Sequence, residues 1–296
     1  MKILITGASG FIGSRLISAA RTKFGAENVI AFSSKQGIAC PSIVYGNPDF
    51  NLSAADLSLL RSAELLVHVG AFIPKNGLKA NAIEECNGNI HFTEKLLALP
   101  LKNLRKIIYI SSVDVYAPSE LTTELTETLP ASLYGMSKLY SERMTTIFSV
   151  NNHLQCQVLR IGHVYGPGEE MYEKFIPKAI KNILSGNPVE LWGDGTEVRS
   201  FIYINDVINA MLQAVDLTEE VGPINIVGGV PVSIRDLLDR LIVLSGKTVA
   251  ITTREFSGTK RNYTFDNTKL RQYLLPAETD LSVGLQAEYA YMARLN

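Results

Sequence analysis

The sequence predicts an α/β fold, a doubly wound parallel sheet followed by a smaller C-terminal α/β substrate lobe. Three observations predict it. Short apolar strand patterns alternate with helical patterns from Lys2 to about residue 165. Glycines at 7, 10 and 13 occupy the first strand-to-helix turn. Small or hydroxylated residues, Gly70-Ala71 and Ser111-Ser112, stand at the carboxyl ends of later strands. Alternation of this kind implies parallel strands joined by crossover helices and covered on both faces. Such sheets bind ligands beyond the strands' carboxyl ends, so these positions are expected to converge in space.

The first strand is Lys2 to Ile5, and a helical pattern runs from Ser14 to Lys23. Between them lies Thr6-Gly7-Ala8-Ser9-Gly10-Phe11-Ile12-Gly13. Gly7 permits the tight turn, Gly10 admits a pyrophosphate to the backbone, and Gly13 lets the helix pack on the strand, with the helix N-terminus facing the anion. The second strand, Asn28 to Phe32, ends in Ser33-Ser34-Lys35. An acid there would hold a ribose 2′-hydroxyl. Two hydroxyls and an ammonium suit a 2′-phosphate instead, so NADP is the expected cofactor and NAD the alternative. Ser42 to Tyr45 is a third strand, and Asp49 in the following Asn-Pro-Asp turn is a candidate adenine contact or a turn former. A helix over 54–62 and a buried strand over 64–69 lead to Gly70-Ala71-Phe72, where small residues leave room for a ligand. His68, inside that apolar strand, reads as a hydrogen-bonded core histidine rather than a base. A helix over 82–99 precedes the strand from Arg105 that delivers Ser111 and Ser112.

A helix over 133–150 then carries Tyr134 and Lys138. The i,i+4 spacing puts both side chains on one face. A lysine ammonium beside a tyrosine favours the phenolate and so equips the phenol to move a proton at a sugar hydroxyl.

Composition bounds the partners. The 296 residues are 46% hydrophobic and 19% charged, a soluble globular profile with room for a large domain and a lobe. A net charge of −1 offers no basic field to nucleic acid. The apolar start Met1–Ile5 is cut short by Gly7, and no later apolar run reaches membrane-spanning length, so no membrane partner is expected. Cys40, Cys86 and Cys156 are scattered without metal-ligand spacing and read as reduced thiols of a cytoplasmic protein; no metal is expected.

These residues resemble the extended short-chain dehydrogenase/reductase family, the NAD(P)-dependent epimerase/dehydratase group acting on nucleotide sugars. Thr6-Gly7-x-x-Gly10-x-x-Gly13 is similar to its Rossmann cofactor loop, Asp49-Phe50 to its Asp-Leu adenine contact, and Val67–Ala71 to its His-Leu-Ala-Ala strand end. Asn89–Thr93 resembles its Asn-Val-x-Gly-Thr helix. Tyr109–Tyr116 resembles the segment with the catalytic Ser or Thr, which falls on Ser112, and Tyr134-x-x-x-Lys138 resembles the catalytic pair. Arg160–Gly168 is similar to Arg-Pro-x-Asn-Val-Tyr-Gly-Pro-Gly, with Ile161 for the proline and His163 for the asparagine that touches the sugar nucleotide.

The resemblance divides the chain into a dinucleotide-binding domain, 1–165, and a substrate lobe, mainly 166–296, with a return to the sheet at about 196–230. Helices over 172–184 and 281–295 belong to the lobe. Arg199, in Arg199–Asp206, matches the family's diphosphate-binding arginine, and Arg254, Lys260 and Arg261 compete for a second such role; Arg261 is taken as the candidate.

The resemblance implies hydride transfer at a sugar carbon. Tyr134 is the acid/base, Lys138 lowers its pKa and holds the nicotinamide ribose, and Ser112 hydrogen-bonds the reacting oxygen. A 4,6-dehydratase of this family carries Asp-Glu after the catalytic Ser/Thr. Val113-Asp114 stands here, which argues against dehydration and leaves Asp114 as a substrate-facing or capping carboxylate. Ser33-Ser34-Lys35 favours a keto-sugar reductase using NADPH. The alternatives are an NAD-dependent 4-epimerase and a non-catalytic ligand sensor. The helices over 82–99 and 133–150 are candidates for a four-helix homodimer interface.

Overall fold

A computed structural model describes residues 1–46, 50–256 and 261–295. In chain order the N-terminal half contains β1 (Ile3–Thr6), α1 (Phe11–Phe24), β2 (Val29–Ser33), β3 (Ser42–Val44), α2 (Ala54–Ser62), β4 (Leu65–His68), α3 (Ile83–Leu97), β5 (Lys106–Ser112), α4 (Leu133–Asn151) and β6 (Gln155–Ile161). There follow β7 (His163–Tyr165), α5 (Phe175–Leu184), β8 (Val189–Trp192), β9 (Val198–Tyr203), α6 (Ile204–Asp216), β10 (Ile224–Ile226), β11 (Pro231–Ser233), α7 (Ile234–Ser245), β12 (Ile251–Arg254), α8 (Thr268–Tyr273) and α9 (Leu281–Leu295). Helix α6 begins inside the Arg199–Asp206 segment, and α7 carries no motif and enters only with the structure.

The main sheet has seven parallel strands in the order β10-β6-β5-β4-β1-β2-β3. The order reverses direction about β1, which makes the crevice outside β1 and β4 the place where ligands bind in such sheets. The strand period of two is visible in the core. Ile3 and Ile5 of β1 pack on one face with Leu16 of α1 and Val207 and Met211 of α6, whereas Leu4 packs on the other face with Leu60 of α2 and Leu96 of α3. Each such side chain, buried, contributes about 1.5–3 kcal/mol relative to exposure. The remaining strands form the lobe. β7 lies parallel to β9 and β9 antiparallel to β11, while β8 pairs with β12. The chain comes back to the main sheet when β10 pairs with β6.

Helix α4 hides the side that simple amphipathicity would expose. Its buried face is Tyr134, Ser137, Lys138, Ser141, Glu142, Thr145 and Ser149, and its exposed residues include Leu133, Met136, Tyr140, Ile147 and Val150. Three of the buried hydroxyls are satisfied locally. Ser137 donates to the Tyr134 carbonyl at 2.8 Å, Thr145 to Ser141 at 2.8 Å and Ser149 to Thr145 at 2.9 Å. Glu142 is neutralised by Arg160 of β6 in a bidentate pair with contacts of 2.6 and 3.1 Å.

Candidate active site

The carboxyl ends of β1, β2, β4, β5 and β6 open into a cleft of about 1590 Å³. Drug-sized ligands fill pockets of roughly 300–1,000 Å³, so this cleft has room for two ligands together. It is lined by Gly7, Ser9, Gly10, Phe11, Ile12 and Gly13 of the first loop, Ser33 and Ser34 after β2, and Phe50. Gly70, Ala71 and Phe72 line it after β4, Ser112 and Asp114 after β5, Tyr134 and Lys138 from α4, and His163 from β7. The expected convergence therefore holds for all of these. Lys35, Arg199 and Arg261 are not among the lining residues, and Asp49 and Lys260 lie outside the described residues.

The glycine loop is a cradle that side chains would fill. Gly7 has φ +65°, and a Cβ there would meet the Gly70 Cα at 2.7 Å. A Cβ on Gly13 would come within 2.0 Å of the Gly7 carbonyl oxygen. Gly10, at the N-cap of α1, offers no side-chain acceptor, so the first-turn N–H groups carry no side-chain cap where they meet the cleft. Uncapped donors plus the positive helix end form a site for a pyrophosphate, and the residues present fit a dinucleotide.

A hydrogen-bonded chain locks this cradle to β4. The Gly70 N–H donates to Thr6 Oγ1 at 2.9 Å, and Thr6 Oγ1 pairs with His68 Nδ1 at 2.9 Å. His68 Nε2 pairs with Thr93 Oγ1 at 3.0 Å, and Thr93 donates to the Asn89 carbonyl at 3.0 Å. Because the Thr93 proton goes to Asn89, His68 must donate from Nε2 and accept at Nδ1, which fixes a neutral tautomer. Burial, then the charge of Lys138, lowers the His68 pKa to about 3. His68 is the satisfied core histidine that its apolar strand predicts. Asn89 extends the chain to the cleft, accepting from the Phe72 N–H at 2.6 Å and donating to Ser137 of α4 at 3.2 Å.

At the other end of the cleft, Ser112 caps the 3₁₀ turn Val113–Val115. It accepts from the Asp114 N–H at 3.2 Å and donates to Asp114 Oδ2 at 3.0 Å. The Tyr134 phenol is hydrogen-bonded to Ser112. Burial, then the Asp114 charge, raises the Tyr134 pKa, and only the Ser112 bond opposes them. The expectation that Lys138 lowers it is not met by the protein alone. Burial lowers the Lys138 pKa to about 7, opposed by Glu142, and the Nζ rests 4.7 Å above the Tyr109 ring. Tyr134 is thus a phenol here, and Lys138 is poised between charged and neutral near pH 7.

The expected phosphate arginines are placed differently. Arg199 pairs with Glu197 at 2.9 Å, stacks over Tyr263 at 4.6 Å, and donates to the Arg261 carbonyl. A diphosphate would have to compete with Glu197 for it. His163 lines the cleft edge-on to Tyr263, at 5.2 Å between rings, and its buried Nδ1 has no partner. Burial, then Arg199 and Lys174, lowers its pKa to about 3, so it is neutral. Of the second-strand set, Ser33 is buried and accepts the Lys35 N–H at 3.0 Å, and Ser34 hydrogen-bonds Tyr45.

Lys174, which no motif marked, also lines the cleft. It pairs with Glu169 at 2.9 Å and donates to the Val164 carbonyl at 3.2 Å. Behind it Glu288 of α9 is buried with both carboxyl oxygens unpartnered; burial, then Glu169, raises its pKa to about 9, so it holds a proton at neutral pH. Neither glutamate lies in a pattern that sequence reading could single out.

The family model for the NAD dependent epimerase/dehydratase family matches residues 3–227, which span the cradle, Ser112, Tyr134, Lys138 and the return to the sheet. The chain belongs to that family. It is 28% identical to an uncharacterized UDP-glucose epimerase, YtcB, of Bacillus subtilis over all of this chain and 99% of the relative. It is 27% identical to a dTDP-glucose 4,6-dehydratase of Streptomyces griseus over 98% of this chain and 93% of the relative. The structure of UDP-glucuronic acid 4-epimerase from Bacillus cereus, in complex with UDP-glucuronic acid and NAD, superimposes with a TM-score of 0.85 at 29% identity, covering 100% of both chains. The chain is thus an extended short-chain dehydrogenase/reductase of the enzymatic, nucleotide-sugar branch with a Rossmann-like sheet.

Proposed function

We propose that this protein is a nucleotide-sugar 4-epimerase that works with NAD. The observation that carries the reading is the meeting of the glycine cradle with Ser112, Tyr134 and Lys138 in one cleft large enough for cofactor and substrate together. The alternative from the sequence thereby displaces the NADPH-dependent keto-sugar reductase, for two reasons. The relatives named above include epimerases, one of them in complex with NAD. The Ser33-Ser34-Lys35 set is also a poor phosphate cradle: Lys35 is off the cleft, and Ser33 is buried and holds the Lys35 N–H.

The nicotinamide, when bound, accepts the hydride of a ring carbon, returns it, and brings a positive charge. With the bound cofactor's positive charge and Lys138 favouring the phenolate, Tyr134 would take the hydroxyl proton in the oxidative half and would give it back to the carbonyl oxygen in the reductive half. Ser112 turns its proton from Asp114 to the reacting oxygen and steadies the charge that develops there. Lys138 supports the phenolate and carries donors for a ribose. The cradle holds the pyrophosphate through backbone N–H groups. Return of the hydride to the opposite face would invert the carbon without net oxidation.

The test is incubation of the purified chain with UDP-glucose or UDP-galactose without added cofactor, followed by chromatography of the sugars and mass measurement of any released dinucleotide. Interconversion with NAD released supports the reading; stoichiometric NADPH consumption with a keto-sugar and no interconversion overturns it. Tyr134→Phe should lower kcat by about 10²–10⁴ while leaving dinucleotide binding in place.

We further propose a homodimer through α3 and α4. Leu133, Met136, Tyr140, Ile147 and Val150 of α4 form an exposed stripe at heptad-like spacing, and Ile83 of neighbouring α3 is exposed as well. A second copy presenting the same faces would bury it.

A further inference from the structure

The geometry points to Asp114 as the residue that selects an uncharged sugar and rejects a hexuronic acid, an inference that rests on the nucleotide-sugar reading above. The carboxylate is exposed to the cleft and sits one hydrogen bond, 3.0 Å, beyond Ser112. If Ser112 bonds the reacting oxygen, the substituents on the flanking ring carbons face Asp114. Its position is firm. The Asp114 carbonyl lies where a Cβ on Gly135 would approach to 2.3 Å, so the turn is seated directly on α4.

The surrounding charges do not offset the carboxylate. From α4, Tyr134 is a phenol and Lys138 is only partly charged near pH 7. From β7, His163 is neutral. Burial raises the Cys86 thiol of α3 and the Tyr172 phenol before α5. Burial raises the Asp114 pKa, and the Ser112 hydrogen bond and then Lys174 oppose that shift; Lys174 is already engaged by Glu169 and the Val164 carbonyl. A sugar carboxylate entering here meets a like charge whose nearest counter-ion is committed. A hydroxymethyl or ring hydroxyl instead donates a charge-assisted hydrogen bond. Two unit charges a few ångströms apart in a partly screened site discriminate by roughly tenfold to a few hundredfold.

The experiment measures binding by calorimetry and isomerisation by chromatography for UDP-glucose and UDP-glucuronic acid, with the wild-type chain, Asp114→Asn and Asp114→Ser, each checked for a cooperative melt. The wild type is expected to prefer UDP-glucose by at least about tenfold. Both variants should shrink that ratio by a similar factor. The wild-type preference should also weaken as pH falls and Asp114 takes up a proton, while the Asp114→Asn ratio stays flat. Equal handling of the two sugars by wild type overturns the assignment, as does an unchanged ratio in both folded variants. The two readouts separate the claims. A binding preference with no isomerisation leaves the selectivity standing and sinks the epimerase; isomerisation of both sugars alike sinks the selectivity and keeps the epimerase.

Discussion

Replacing His68 by Leu tests whether the chain from Gly70 to Asn89 holds the cofactor cradle to the sheet. The substitution removes two side-chain hydrogen bonds, at 2.9 and 3.0 Å, between groups that are all buried. Thr6 keeps the Gly70 N–H but loses the acceptor of its proton, and Thr93 keeps the Asn89 carbonyl but loses its donor. Each buried group left without its partner costs about 1–3 kcal/mol, and the leucine side chain returns part of that through apolar contact, so a loss of about 2–4 kcal/mol is expected at pH 7.5. The pH dependence adds a second signature. The folded His68 pKa of about 3 lies below the ordinary histidine value of 6.5. The unfolded chain therefore binds the extra proton between those values, and wild type loses up to about 1.4 kcal/mol of stability from this residue per pH unit as pH falls below 6.5. The leucine variant has no such loss, so the gap between the two proteins should close as pH drops from 7 towards 5. His163, Glu288 and the surface carboxylates act on both proteins and cancel in the comparison. Urea unfolding at several pH values reads both quantities. A gap below about 1 kcal/mol at pH 7.5, or one independent of pH, would refute the hydrogen-bonded neutral histidine.

Gly13→Ala should fold with a displaced first turn and bind dinucleotide at least about tenfold more weakly by calorimetry, because its Cβ would fall 2.0 Å from the Gly7 carbonyl. Glu288→Gln should be more stable than wild type by about 1–3 kcal/mol at pH 8 and equal to it near pH 5. The sign follows from a folded pKa of about 9 above the ordinary glutamate value of 4.5: wild-type stability falls as pH rises between them, and the amide avoids that fall. Thermal melts across this range check it, and a variant less stable at pH 8 would contradict a protonated Glu288. Tyr140→Glu on the exposed stripe should shift the chain from dimer to monomer in sedimentation, with the melt of the monomer little changed.

Much of the fold was legible because its signals are local. The glycine triplet, the apolar strand runs and the Tyr-Lys spacing each follow from a backbone conformation or a helical repeat, and the structure places their residues where those rules imply. Helix α4 misleads a reader who follows amphipathicity, since its buried face is rich in serine and threonine. A residue that must reach the sheet's carboxyl end turns the whole face inward with it, and carbonyls of the preceding turn satisfy the hydroxyls of Ser137, Thr145 and Ser149 left there. Element ends were less legible: α1 begins at Phe11 rather than Ser14, since an uncapped glycine carries no start signal.

The sequence by itself determined the sheet and the glycine loop and marked Ser112, Tyr134 and Lys138 as candidates, because backbone geometry, side-chain period and short motifs are written within a few residues of one another. Only the tertiary structure decided the charge state of those groups. Burial and neighbours distant in the chain keep Tyr134 as a phenol, bring Lys138 near neutrality, commit Arg199 to Glu197 and Lys174 to Glu169, and leave the Asp114 carboxylate open in the cleft. Desolvation and Coulomb energy depend on what surrounds a group in space, and that environment exists only after the chain has folded.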